Sequence, residues 1–527
     1  MKWLLAAVGA IVVLTIAAMV ALPRVVEMPR VRSQIATSVT QALARPVRFR
    51  SASLSVLPYP SVHLRGVEIA EDPAFGAAPF VRLDDAHFRL RLWPLLRGHV
   101  EFATVVLERP TITLVHGSGG RWNFASLGAT RESAPAPRAP RTTSGGTPTA
   151  LVSRVVIERG TVAYERRGSG GIALLHRLEN VDATLSPRPG ALSFKGSARV
   201  VPGGLSVRVS EGTIGFGGAR TLADASLRAR MEVDGDDVRA LAAVALGDEP
   251  AIDGALTGRL DVSGTVGGPR AVGEVEWRDA TVTRTSATCA EPRRRTLALA
   301  PVRASVSWRD GRLIAEPLTG GIPGGIATAR LTAMTLPPMR AELSDLIVER
   351  MPIERVLVDF LCQDYAVAAP VDLTASLTLS PDDPLRTLSG RGRVHVGAGQ
   401  VVGARALSLL GGLARVGSSV SVTLGADLPA TLASSPLEFD SIAGSFEIAG
   451  GVVTTRDLLY TGRALTVRAR GDLALASGQV NADVVLERDR RVFQAKVTGR
   501  ADSPSIRTTP SVAGVDRGFK DLLKKFR

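Results

Sequence analysis

The sequence predicts a mainly β protein whose many short strands follow one N-terminal membrane-spanning helix. Three observations carry this: an uncharged apolar run at the start, apolar–polar alternation through the body, and a loose glycine-led repeat along its second part. The run WLLAAVGAIVVLTIAAMVAL, Trp3 to Leu22, holds 20 residues and no charge. At about 1.5 Å per residue it reaches roughly 30 Å, the thickness of a bilayer's hydrocarbon core. A helix also satisfies its own backbone hydrogen bonds in lipid. The competing reading is a cleaved signal peptide, whose apolar region is shorter, about 7–15 residues. Here the run continues past Ala17 and Ala18 through Met19, Val20 and Leu22 before Pro23 and Arg24. An uncleaved anchor over 1–23 is therefore expected. Long domains cross membranes largely regardless of charge, so the N-terminus is placed inside and the body outside.

Behind the anchor, Ile35, Val39 and Leu43 recur every fourth residue. This predicts a short amphipathic helix that stops before Pro46. From Val47 the period is two. In HFRLRLW, Phe88, Leu90 and Leu92 alternate with Arg89 and Arg91; in TITLV, Ile112 and Leu114 alternate with Thr111 and Thr113. Such segments are strands with one apolar and one polar face. Residues 128–149, GATRESAPAPRAPRTTSGGTPT, lack periodicity and are rich in Pro, Ser, Thr and Gly, which predicts a flexible linker. Strands resume at Leu151 with the repeat: GRLDVSG (258–264), GEVEWRDATV (273–282), GRVHVGAGQVV (392–402), GSFEIAGGVVT (444–454) and GDLALASGQVN (471–481). Each reads as a hairpin or one rung of a longer sheet. Val394, Val396, Phe446 and Ile448 are the alternating apolar residues in the first strand of two rungs. Two helical interruptions stand out, IERVLVDFL (353–361) and the C-terminal VDRGFKDLLKKFR (515–527). The latter puts Phe519, Leu522, Leu523 and Phe526 on one face, either plugging an end of the sheet or lying on an anionic membrane surface.

The net charge of +14 invites a nucleic-acid reading. Of 64 basic residues only six are lysine, and the arginines are spread along the chain rather than gathered into a stripe. Aromatics, which stack bases, make up 4%. No nucleic-acid partner is expected. The bland alternative is a solvated arginine face; a milder one is affinity for anionic lipid headgroups. Two cysteines, Cys289 and Cys362, form one disulfide or stand as two thiols, and both readings stay open. HExxH, GxSxG and GxxxxGK are absent, and His63, His87, His99, His116, His176 and His395 never fall at metal-ligand spacing. The pairs Asp84–Asp85, Asp236–Asp237 and Asp382–Asp383 sit in turn-like contexts, and adjacent residues on a strand point to opposite faces, so none is read as a paired-carboxylate site. No catalytic, cofactor-binding or metal-binding residue is assigned, and no enzyme is expected.

The order RPVRFRSASLSVLPYPSVHLRGVEIAEDPAFG, then APFVRLDDAHFRLRLWPLLRG, ERPTITL and GRWNF (within 30–127) resembles the N-terminal module of the AsmA family. VSWRDGRLIAEPLTGGIPGG (within 297–332) and LSGRGRVHVGAGQVVGARAL through VTGRADSPSIRTTP (within 388–508) resemble later parts of that family. Within 190–290 only the rung pattern persists. The resemblance implies an elongated antiparallel sheet curled into a β-groove, with short helices. It orders the chain as a 1–23 anchor, a 24–127 N-terminal module, the 128–149 linker, a 150–340 middle region, a 341–510 C-terminal-like module and a 511–527 helix. It implies a single-pass protein of the bacterial inner membrane, with its body in the periplasm and a role in outer-membrane biogenesis. That role is handling phospholipid or another envelope lipid along the groove. The alternative is a non-transporting scaffold for outer-membrane protein assembly, with periplasmic or outer-membrane proteins as partners. The candidate groove lining is Phe88, Leu90, Leu92, Ile112, Leu114, Val394, Val396, Phe446 and Ile448. No cofactor is implied.

Overall fold

The computed structural model describes residues 40, 45–55, 61–91, 102–117, 119–127, 153–168, 171–246, 250–287, 289–335, 339–363, 366–381, 383–402, 438–463, 466–488, 491–501 and 503–509. The expected anchor, most of the helix over 35–43, the linker and the C-terminal helix lie outside the described residues. Among the described residues no helix is long and apolar enough to cross a membrane. The chain divides into two compact units, residues 1–235 with 257–273, and residues 236–256 with 274–527.

The first unit holds β1 (Val47–Arg48), β2 (Ser51–Ser55), β3 (Ser61–Ile69), β4 (Val81–Leu90), β5 (Phe102–Glu108), β6 (Thr111–His116), β7 (Val155–Gly168), β8 (Gly171–Arg188), β9 (Ala191–Val201), β10 (Ser206–Gly215) and β11 (Ser226–Gly235). β12 (Ala251–Thr265) and β13 (Pro269–Thr285) contribute residues to both units. In the first unit β3 pairs with β1, β2 and β4, and β4 with β5 and β6. From β7 to β11 each strand pairs antiparallel with the next. β7 runs parallel to both β5 and β6, which corrects the expectation of a wholly antiparallel sheet. The reason is the long connection that contains 128–149: parallel neighbours need a crossover of a dozen or more residues, and this one supplies it. Alternation is cleanest in β11, where Leu227, Ala229, Met231 and Val233 are half-buried between exposed Arg228, Arg230 and Glu232.

The second unit adds β14 (Arg294–Ala298), β15 (Val302–Arg309), β16 (Arg312–Ile322), β17 (Gly325–Met334), β18 (Arg340–Pro352), β19 (Ala366–Ala368), β20 (Pro370–Leu379), β21 (Ser389–Val396), β22 (Gly399–Val402), β23 (Glu438–Ala449), β24 (Val452–Gly462), β25 (Thr466–Ala474), β26 (Gln479–Arg488), β27 (Arg491–Arg500) and β28 (Ser503–Thr509). An unbroken antiparallel ladder runs β15–β16–β17–β18–β20–β21–β23–β24–β25–β26–β27–β28. The rung GSFEIAGGVVT is a hairpin that turns through Gly450 and Gly451, both left-handed at φ 55° and 77°. GDLALASGQVN is a second hairpin. GRVHVGAGQVV is instead one line broken between β21 and β22, since both pair with β23. GEVEWRDATV lies within β13, interrupted by left-handed Asp279.

Register shifts between β17 and β18, at two places between β18 and β20, and between β23 and β24 mark bulges, which bend a strand and sharpen its twist. Two are held by a carboxylate from the next strand: Asp372 Oδ1 accepts the N–H of left-handed Arg350, and Asp457 Oδ1 that of Ser445, each at 2.8 Å. The expected helix over 353–361 is present as a π-helical turn, Arg355–Phe360. A helix the sequence reading does not contain, α1 (Arg239–Leu246), arises where the strong helix formers RALAAVAL follow Asp237, whose Oδ1 accepts the Arg239 N–H at 2.8 Å.

Candidate functional site: an apolar sheet face

Register turns the alternation of single strands into a two-dimensional surface. Val394 pairs with Leu373 on one side and Gly444 on the other, and Leu373 pairs with Val348. Val396 lies between Val371 and Ile442, from which the row continues through Tyr460 and Val467 to Leu486. Ile448 begins a third row, Val453, Leu473, Val480. Phe446 pairs with Gly392, where a Cβ would come within 2.5 Å of its ring, so the ring lies over the glycine. These rows share one face of the second unit from β18 to β26.

The residues between them face the other way and are exposed: Arg391, Arg393, Glu447, Arg468, Arg470, Asp483. Arg468 reaches Glu487 at 3.2 Å and Arg470 reaches Asp483 at 3.5 Å, pairs that keep this side soluble and add little stability. On the apolar face Val371, Val396 and Phe439 are buried in one small cluster with Ala369 and Val401, against which Val394, Ile442 and Tyr460 pack. Burial, and secondarily Asp440, pushes the Tyr460 hydroxyl above its usual pKa. Ile448 is also buried. Leu373, Leu377, Phe446, Leu458, Leu473 and Val484 remain half-buried. Among the described residues of both units only 27 apolar side chains are buried, alanines prominent among them. That is the signature of one layer of sheet, since two packed layers bury the inner face of each.

In the first unit, Phe88 pairs with Val62 and Val105, and its ring stands 5.6 Å from that of Phe102, the partner of Leu90. Ile112 pairs with Val81 and Val162, and Leu114 with Tyr164. Phe88, Ile112 and Leu114 pack on a buried cluster that includes Leu64, Val81, Leu83 and Ala86. Leu92 lies outside the described residues. The structure thus brings the described candidates together as one group in each unit. On the reverse of the first group, His63 and His87 meet edge to face at 4.4 Å, and His87 Nε2 stands 3.1 Å from Glu108 Oε1.

Sequence reading quotes GRWNF only as a phrase; the structure gives its residues jobs. Asn123 is fully buried, its Oδ1 accepting the Val115 N–H at 2.9 Å and its Nδ2 donating to Thr113 O at 2.8 Å and Glu71 Oε2 at 2.7 Å. Trp122 Nε1 donates to Gly267 O at 2.7 Å, 145 positions away in sequence. The signal available was a lone Asn between aromatics, a polar group that pays its burial only when fully bonded. Among the described residues no set of His, Cys, Asp and Glu is arranged to hold a metal.

The family model described as the AsmA family matches residues 1–282. The chain belongs to the AsmA family. No curated protein and no solved structure matches it. The AsmA match includes most of 190–290, where the sequence reading finds only the rung pattern, and it ends before the segments 297–332 and 388–508. The AsmA module therefore contains the Phe88–Leu114 group, while the Val394–Ile448 group lies beyond the matched residues.

Proposed function

We propose that this AsmA-family chain is an envelope-biogenesis protein, anchored in the inner membrane, that carries phospholipid on its apolar sheet face in the periplasm. The observation that carries the reading is the half-buried surface from Val348 to Leu486, apolar in successive rows and lacking a second protein layer among the described residues. Such a surface gains about 0.8 kcal/mol for every CH2 group it removes from water, and an acyl chain supplies those groups in a row. The charged reverse side suits an aqueous compartment. The Cys289–Cys362 disulfide supports a thiol-oxidising one. The residues carry no catalytic role in this reading, and the cargo is held by burial rather than by charge.

The test is to express residues 24–527 in the periplasm, purify them without detergent and analyse bound lipid by mass spectrometry. Phospholipid is expected in stoichiometric amount. Lipid-free protein that also fails to take up a fluorescent phospholipid from vesicles contradicts the reading.

A further inference from the structure

Cys289 and Cys362 are bonded to each other with their Cα atoms 5.4 Å apart. Cys289 lies in the connection between β13 and β14, and Cys362 follows the π-helical turn after β18. In the ladder those places are four steps apart, β13–β15–β16–β17–β18. At about 4.8 Å per step that is roughly 19 Å. The arm made by the end of β13, the connection and β14 therefore reaches across the ends of β15 to β18 to meet the turn. Two contacts mark the crossing. β14 packs against the turn, and the Arg284 guanidinium stands over the Phe360 ring at 5.9 Å. Ile353, at the start of the tied segment, packs with Val371 and Val396 of the apolar face. Within the arm, β14 is five residues long and pairs with β13.

We propose that the Cys289–Cys362 bond is a clasp, which when closed straps the β13–β14 arm across the ends of β15–β18, and when opened by thiol–disulfide exchange frees the arm and widens access to the apolar face. Cys289 is buried and Cys362 half-buried, so a dithiol protein attacks at Cys362. Its thiolate bonds to the Cys362 sulfur, and the electron pair of the S–S bond leaves on Cys289, which takes up a proton. The partner's second thiolate then resolves the mixed disulfide, leaving two thiols here and one disulfide in the partner. The consequence for access rests on the proposed lipid reading; the motion of the arm does not.

The experiment uses the full-length chain in membrane vesicles, with and without dithiothreitol, beside a Cys289→Ser/Cys362→Ser variant. Hydrogen exchange is followed by mass spectrometry, and a diazirine fatty acid labels apolar surfaces. Reduction and the double substitution should each raise exchange at least tenfold in 281–298 and 353–362, leave 440–488 unchanged, and increase labelling of β15–β18. Unchanged exchange in the two segments overturns the clasp, as does a rise throughout 274–509, which marks a general staple of the fold. Freed segments with unchanged labelling of β15–β18, while other strands label, overturn the gain in access. No labelling of any strand in either state counts against the lipid reading, and the clasp is then decided by exchange alone.

Discussion

Arg45 holds Glu71 at 2.9 Å with both side chains almost wholly removed from water, 4% and 5% exposed. The same guanidinium donates to Ser126 Oγ at 2.7 Å and to the Asn123 carbonyl, and Ser126 donates on to Asp72 at 2.8 Å. This node ties the residues entering β1 to the segment after β3 and to the turn after β6. Removing one member leaves a buried charge without its partner, which costs about 3–5 kcal/mol. Glu71→Ala should therefore lower stability by that amount in urea unfolding followed by Trp122 fluorescence, the other four tryptophans being replaced by phenylalanine. A loss under about 1 kcal/mol contradicts the node.

His63 supplies a pH dependence. Burial, then the neighbouring charges of His87 and Arg65, hold its pKa below the usual histidine value, outweighing Asp85 and Glu108. The folded state thus binds this proton less readily than the unfolded chain. Stability from neutral His63 is complete above the unfolded value of about 6.5 and is lost as pH falls from there towards the lowered folded value. His63→Asn should flatten the stability profile just below pH 6.5, as thermal melts at stepped pH will register. An unchanged slope contradicts the assignment.

Gly392 and Phe446 make a packing prediction. A methyl at Gly392 would lie 2.5 Å from the Phe446 ring and 2.5 Å from the Thr374 carbonyl oxygen. The carbonyl belongs to the neighbouring strand and cannot swing away. Gly392→Ala should cost about 1–3 kcal/mol, the usual penalty of overpacking, and Phe446→Ala should relieve only part of it. A double-mutant cycle measures this; neutral behaviour of Gly392→Ala rules the close approach out.

Charge placed on the apolar face separates a lipid surface from a protein-covered core. Ile448 is a poor probe because it is buried, so both readings predict damage there. Val484 is half-buried and pairs with Ala469 and Ala495. If its face is lined by lipid, Val484→Asp should unfold within about 1 kcal/mol of the parent yet bind less phospholipid. If another protein layer covers it, the buried charge should cost several kcal/mol. Denaturant titration with lipid quantification reads both.

Much of the face was legible because a strand's period of two is a local property. GRVHV and GSFEI are enough to put Val394, Val396, Phe446 and Ile448 on common sides of their strands. What joins them is not local. The pairing of Val394 with Leu373 and Gly444, the parallel turn of β7 against β5 and β6, and the meeting of Cys289 with Cys362 each depend on contacts between distant segments. Asn123 and Arg45 were equally hidden, since a polar residue announces its burial only through partners far along the chain. The helix α1 was missed because the seven apolar residues that follow Arg239 fit a buried strand as well as a helix.

The central claim is that lipid contacts one face of a single-layered sheet, and labelling residue by residue along a strand tests it most directly. Benzoyl-phenylalanine placed singly at 480, 481, 483 and 484 of β26 in the full-length chain, photolysed in living cells grown with radioactive phosphate, reports which positions touch phospholipid. Label should follow the face, strong at half-buried Val480 and Val484 and weak at exposed Asn481 and Asp483. Equal label at all positions, or none at Val480 and Val484, contradicts a lipid-bearing face.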